Sequence, residues 1–209
     1  MQLIVITGPS GSGKTFLSKR IATLFENSII INTDSYYKDN LLIKLISKFK
    51  YDIYDRLISI KYKELINTIN SIENKEEHVY LYDYDFKSKV SRRFIKHIKN
   101  HKDKIIILEG IFSHRLKLNY KNAINIVCNE KKEICYHRRV NRDKLERARE
   151  IKEINNRFIR SWDLYHHNSN RYTTNNTIIL VSPDNELSYK KLIRRIKHKL
   201  FSKKAKENK

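Results

Sequence analysis

A chain of 209 residues that is 40% hydrophobic has room for one α/β domain with a real core, and none of its apolar runs approaches the ~20 residues of a bilayer span. Lys and Arg number 44 against 23 Asp and Glu, a formal net charge of +21, which would attract polyanions. Yet Ile, Lys and Asn supply 79 of the residues while Gly and Pro number only 4 and 2, so the charge is assigned to the composition of an A/T-rich coding sequence, not to a nucleic-acid partner.

The N-terminus has neither the basic region nor the cleavage site of a signal peptide, and Cys128 and Cys135 show no metal-ligand or disulfide spacing. The expectation is a soluble, cytoplasmic protein without membrane association. Residues 2–7, rich in Ile and Val, predict a buried strand. Three of the four glycines then fall within six residues, in Gly8-Pro9-Ser10-Gly11-Ser12-Gly13-Lys14-Thr15. This satisfies G-x-x-x-x-G-K-[ST], and residues 16–25 continue with Leu17, Ile21, Leu24 and Phe25 at helical spacing. Strand, loop and helix arrive in the order a phosphate cradle needs. Glycines free the backbone N–H groups to face one phosphate chain, the helix N-terminus adds partial positive charge, Lys14 supplies a cation, and Thr15 offers a hydroxyl to Mg²⁺.

Residues 28–32 predict a second strand, ending at Thr33-Asp34-Ser35-Tyr36-Tyr37-Lys38. Residues 36–72 are expected as a largely helical insertion on the substrate side. A strand near 77–82 precedes Tyr84-Asp85-Phe86, and residues 104–108 predict a buried strand leading to Glu109-Gly110. In open α/β sheets ligands sit beyond the carboxyl ends of the strands, where Asp34 and Glu109 fall. A strand at 123–128 follows. Arg138, Arg139, Arg142, Arg147 and Arg149 are then expected in one helical register, with 138, 142 and 149 near one face, a cluster suited to phosphate oxygens. A strand at 177–181, a turn at 181–185, a helix at 186–201 and a frayed basic tail at 202–209 complete the chain. Strands alternating with helices predict an α/β fold with a mostly parallel five-stranded sheet flanked by helices. The domain is expected to run from 1 to 201, with an Arg-rich lid at about 138–157.

Among nucleotide-binding classes, a GTPase needs N-K-x-D, and Asn74-Lys75-Glu76-Glu77 lacks the Asp; no D-x-x-G precedes Gly110. Small-molecule kinases remain. The segments together resemble the uridine (uridine–cytidine) kinases of the phosphoribulokinase/uridine kinase group. Asp34-Ser35-Tyr36-Tyr37-Lys38 is similar to D-S-F-Y-[KR], Tyr51-Asp52 to F-D, Tyr84-Asp85-Phe86 to Y-D-F, and Leu108-Glu109-Gly110-Ile111 to F-E-G-I. Residues 138–149 resemble R-R-V-x-R-D-x-x-E-R-G-R. The resemblance implies a P-loop kinase using ATP or GTP with Mg²⁺ on a small nucleoside, assembled as a homo-oligomer, a tetramer in the family. It implies Asp34, Lys14 and Arg142 as catalytic residues. The donor would bind through Gly8, Pro9, Ser10, Gly11, Ser12, Gly13, Lys14, Thr15 and Arg147. The substrate would contact Asp34, Tyr37, Asp52, Tyr84, Phe86, Lys89, Arg139 and Arg149, and Thr15 and Glu109 would serve the metal.

Three departures touch the base-reading edge and spare the phosphoryl-transfer residues. Lys89 stands where the family has His, Arg157-Phe158 where it has Gln-Tyr, and no His-Pro follows Asp52. They keep open a sister kinase of another small hydroxyl metabolite, of the pantothenate, nicotinamide riboside or phosphoribulose type. A basic nucleic-acid-binding P-loop protein is the remaining alternative.

Overall fold

The computed structural model describes all residues except 1, 26, 51–52, 99–103, 112, 114–115, 117–122, 170–176, 181 and 208–209, and omits the side chains of 169 and 201–207. Strands β1 (Gln2–Thr7), β2 (Ser28–Asn32), β5 (Ile105–Gly110), β6 (Ile124–Cys128) and β7 (Ile178–Leu180) form one sheet in the order β2-β5-β1-β6-β7. Every neighbouring pair in it is parallel. This is the five-stranded sheet expected from the sequence.

Period-two alternation sends successive side chains to opposite faces, and here both faces are covered, so β1 and β5 are apolar along most of their length. Leu3, Val5, Ile106 and Leu108 pack on one face with Tyr36, Leu65, Ile69 and Val79. Ile4, Ile6, Ile105 and Ile107 pack on the other, with Leu17 and Ile21 of α1 (Lys14–Ala22) and Leu192 and Ile196 of α6 (Glu186–Glu207). Helix α6 runs on to Glu207, so most of the tail expected to fray from 202 is helical backbone.

The expected insertion resolves into α2 (Leu41–Phe49), two 3₁₀ turns (Ile53–Asp55 and Leu57–Ser59) and α3 (Tyr62–Glu73). Helix α2 starts where the Asn40 side chain accepts the Ile43 N–H at 3.0 Å. The strand expected near 77–82 lies outside the main sheet: β3 (His78–Asp85) pairs antiparallel with β4 (Val90–His97). Periodicity did not disclose β4, because from Arg92 to His97 it is exposed on both faces and carries no alternation. The lid segment comprises the end of α4 (Lys132–Arg147) and the start of α5 (Ile151–Ser169). Among the described residues, no helix is long and apolar enough to cross a membrane.

Strands β2 and β5 meet tightly at their carboxyl ends. A Cβ on Gly110 would lie 1.8 Å from the buried Thr33 Oγ1 and 2.9 Å from Ser113 Oγ. Gly110→Ala is therefore expected to cost about 1–3 kcal/mol through overpacking and to lower Tm by roughly 3–10 °C in thermal denaturation.

Candidate active site

Between β1 and α1 the chain turns through Gly11 and Gly13 at φ +86° and +84°, conformations that cost an L side chain ~1–2 kcal/mol. Gly13 is the N-cap of α1 and provides no side-chain cap. The first N–H groups of the helix are thus left for an anion. The Lys14 ammonium folds back over the loop and donates to the Pro9 carbonyl at 3.0 Å.

Parallel pairing sets Ile6 of β1 and Asn32 of β2 on either side of Glu109 in β5. The Thr15 hydroxyl donates to Glu109 Oε1 at 2.9 Å. Burial, only partly offset by Lys14, pushes the Glu109 carboxyl above its usual range. Asp34 follows β2 in a 3₁₀ turn capped by the Asn32 side chain, which accepts the Asp34 N–H at 2.8 Å. The Tyr37 hydroxyl donates to Asp34 Oδ1 at 3.0 Å. Burial first, and then the nearby Asp34 charge, hold the Tyr37 phenol well above its usual range, so it remains a donor. Expected as a substrate contact, Tyr37 is occupied in this structure in orienting Asp34.

The lid arginines converge on Asp143, which is fully buried. Arg142 Nε and Nη2 lie 2.9 and 2.8 Å from Asp143 Oδ1, and Arg149 Nη1 lies 2.8 Å from Oδ2. Arg139 and Arg147 each approach to 3.5 Å. Burial raises the Asp143 pKa, but the arginines, led by Arg142 and Arg147, outweigh it and bring the carboxyl to about 2.

The expected single helical face is corrected here. Helix α4 stops at Arg147, and Ala148 reverses the chain at φ +49°. Arg149 therefore reaches Asp143 through a turn, not through helical register. Arg138 points to the outer side of the loop, with Nη1 3.4 Å from the Gly11 carbonyl and Nη2 paired to Asp184. Arg142 reaches inward, donating to Ser10 Oγ at 3.2 Å. Arg147, expected on the donor side, lies over the Phe86 ring at 3.7 Å. Burial brings its guanidinium down to about 10, and the ring and Asp143 offset part of that penalty.

Lys14, Thr15, Asp34, Tyr37, Glu109, Arg139, Arg142, Arg147 and Arg149 line one cavity of about 460 Å³, together with Tyr54, Asp55, Tyr84, Phe86, Lys89 and Arg157. Its rings meet edge to face, Tyr37 against Tyr54 and Tyr84, and Tyr84 against Phe86. Lys89 sits at φ +54° in the β3–β4 turn, and its Nζ donates to Ser47 Oγ at 3.2 Å. Burial, followed by Arg157, lowers its pKa. Arg157 lines the cavity and pairs with Glu153 at 2.7 Å, whereas Phe158 packs on Tyr136 and Trp162. Arg139 is 4% exposed, and its Nε and Nη1 have no hydrogen-bond acceptor. Asp52 lies outside the described residues. Tyr54 and Asp55, which sequence reading passed over, have a signal only in following Asp52 within the acidic motif.

Eight basic and four acidic side chains line the cavity, a balance suited to a polyanion. The depressed Asp143 pKa has a consequence for stability. With a folded value of about 2 against an ordinary 3.8, Asp143 contributes roughly 2 kcal/mol above pH 4 that is lost as pH falls toward 2. Asp143→Asn should remove that acid-limb dependence and cost about 3–5 kcal/mol by leaving buried guanidinium groups uncompensated. Urea unfolding at pH 7, 5 and 3 measures both.

Residues 3–188 match the model of the phosphoribulokinase/uridine kinase family. A uridine kinase of Streptococcus equi subsp. zooepidemicus is 30% identical over 156 residues, 73% of each chain. One of Ureaplasma parvum serovar 3 is 31% identical over 161 residues, again 73% of each. A structure described as a "possible uridine kinase" from Bacillus stearothermophilus superposes with a TM-score of 0.55 at 14% identity, covering 85% of this chain and 88% of its own; at that identity it bears on the fold alone. With nearly the whole chain under the family model, and the P-loop, the two strand-end carboxylates and the arginine lid in one cavity, the chain belongs to the phosphoribulokinase/uridine kinase family, whose members are ATP-dependent kinases of nucleosides and small metabolites.

Proposed function

We propose that the protein transfers the γ-phosphoryl group of ATP, or of GTP, to the 5′-hydroxyl of uridine, and less readily to that of cytidine. One arrangement carries this reading: Asp34, oriented by the Tyr37 hydroxyl, shares a cavity with Lys14 and the Thr15–Glu109 pair. A donor seated on the loop meets there a carboxylate that can take the acceptor proton. Transfer spreads charge over the equatorial phosphoryl oxygens. Lys14 lies at the loop, and Arg142 already touches Ser10, so both are close to where that charge develops.

Mg²⁺ fits the residues present. A buried carboxylate whose ionisation is made costly by burial, bonded to a hydroxyl, is an all-oxygen donor set for a hard cation. Thr15 would hold it directly and Glu109 through water. Once bound it neutralises phosphate charge. On the acceptor side, the Nη1 donor of Arg139, which has no hydrogen-bond acceptor, suits ribose oxygens, and Tyr84 and Phe86 suit the faces of a base. Lys89 can only donate hydrogen bonds. It favours the O4 acceptor of uracil over the N4 amino group of cytosine.

Lys89, Arg149 and Arg157 also support a second reading, an acceptor that carries an acid group. Lys89 feels both arginines, and Glu153 is the acid that opposes them. Assays with Mg-ATP and a panel of uridine, cytidine, pantothenate and ribulose 5-phosphate separate the readings. Exclusive use of an acid-bearing acceptor would overturn the first.

Asp34→Asn is expected to lower kcat by about 10²–10⁴-fold with ATP affinity retained. Lys14→Ala should cost ~10²–10³-fold with the fold intact by circular dichroism. Lys89→His should reduce the uridine-to-cytidine ratio of kcat/KM by roughly ten- to a hundredfold. An unchanged ratio would mean that another residue reads the base.

A further inference from the structure

Outside the cavity, among the described residues, one cluster has the donor set of a metal site. His78 opens β3 and His97 closes β4, and the antiparallel register sets them directly opposite each other. Their ring centroids are 4.9 Å apart. Glu77 precedes His78, and its carbonyl accepts the Ile98 N–H at 2.8 Å, extending the pairing by one step. One ligand atom from each of the three side chains lies within 4.8 Å of the others, and all three residues are exposed.

We propose that Glu77, His78 and His97 bind a divalent transition ion of the Zn²⁺ type. Two imidazoles and a carboxylate select such ions over Mg²⁺ and Ca²⁺, which take oxygen ligands. Exposure leaves the remaining coordination positions to water. Cys128 and Cys135 are fully buried and do not compete.

The location gives the ion a structural role. A two-stranded antiparallel sheet is marginal by itself, and β3–β4 is not part of the main sheet. An ion held by both strands pins the open end of this hairpin. Tyr84, Phe86 and Lys89 occupy the other end, six residues from His78 to Tyr84, or roughly 20 Å. The ion is thus remote from phosphoryl transfer and steadies the element that carries the acceptor wall.

The test uses untagged full-length protein stripped with chelator and kept in excess Mg²⁺. Zn²⁺ is titrated by calorimetry, and Co²⁺ by its visible absorption. The expected result is one Zn²⁺ per chain, a Tm raised by Zn²⁺, and Co²⁺ bands of imidazole ligation. His78→Ala and His97→Ala should each weaken Zn²⁺ binding by about tenfold or more, with circular dichroism unchanged. His97→Asn provides the same reading should the alanine variant lose structure. Absence of Zn²⁺ binding to the wild-type chain, or equal affinity in the His78→Ala/His97→Ala double variant, would overturn the proposal.

Discussion

The adjacency of β1 and β5 is the constraint from which the rest of the site follows. Parallel pairing in the register Ile6↔Glu109 and Thr7↔Gly110 ends both strands at the same level. The P-loop and Glu109 therefore leave the sheet side by side, and α1 returns with Thr15 against Glu109. Strand β2 pairs on the far edge of β5, so Asp34 emerges at the same edge. Close approach depends on Gly110, whose missing side chain makes room for the Thr33 hydroxyl. Two carboxylates and a phosphate-binding loop meet because three strands stop together, with β5, between the other two, buried along its whole length.

A second feature is electrostatic. Four arginines crowd around one buried carboxylate, Asp143. Guanidinium groups packed this closely repel one another, and their charge must be answered within the fold. Asp143 answers it from beneath. The arginine donors are thereby held together beside the loop. Since Arg142 contacts both Asp143 and Ser10, lid and loop are joined through one side chain.

The aromatic wall of the cavity rests on a less protected element. The β3–β4 hairpin brings Tyr84, Phe86 and Lys89 to the cavity through a turn in which Asp85 Oδ1 accepts the N–H groups of Lys87 and Ser88 at 2.8 and 3.2 Å. Packing of Tyr37 against Tyr84, and of Arg147 over Phe86, ties this wall to Asp34 on one side and to the lid on the other. The aromatic wall and the two strand-end carboxylates thus lie on different supports, a hairpin for the first and the parallel sheet for the second.

The sequence by itself determined the P-loop, the five parallel strands and the candidate carboxylates Asp34 and Glu109. Each depends on contiguous residues whose local pattern is physically decisive: an apolar strand, glycines at left-handed positions, a lysine at a helix start. It also disclosed, through resemblance, the lid arginines and Lys89 and Arg157 of the cavity lining. It did not disclose β4, because an exposed strand has no side to bury and so no period. It misjudged the arginine register, because a helix that stops at Arg147 and turns through Ala148 is a matter of backbone reversal. Only the tertiary structure decided that Tyr37 orients Asp34, that Arg147 covers Phe86, that Arg138 faces away from the cavity and that Asp55 faces into it. Those are contacts between segments distant in the chain or across a turn, and their geometry exists only once the sheet, the insertion and the lid have packed together.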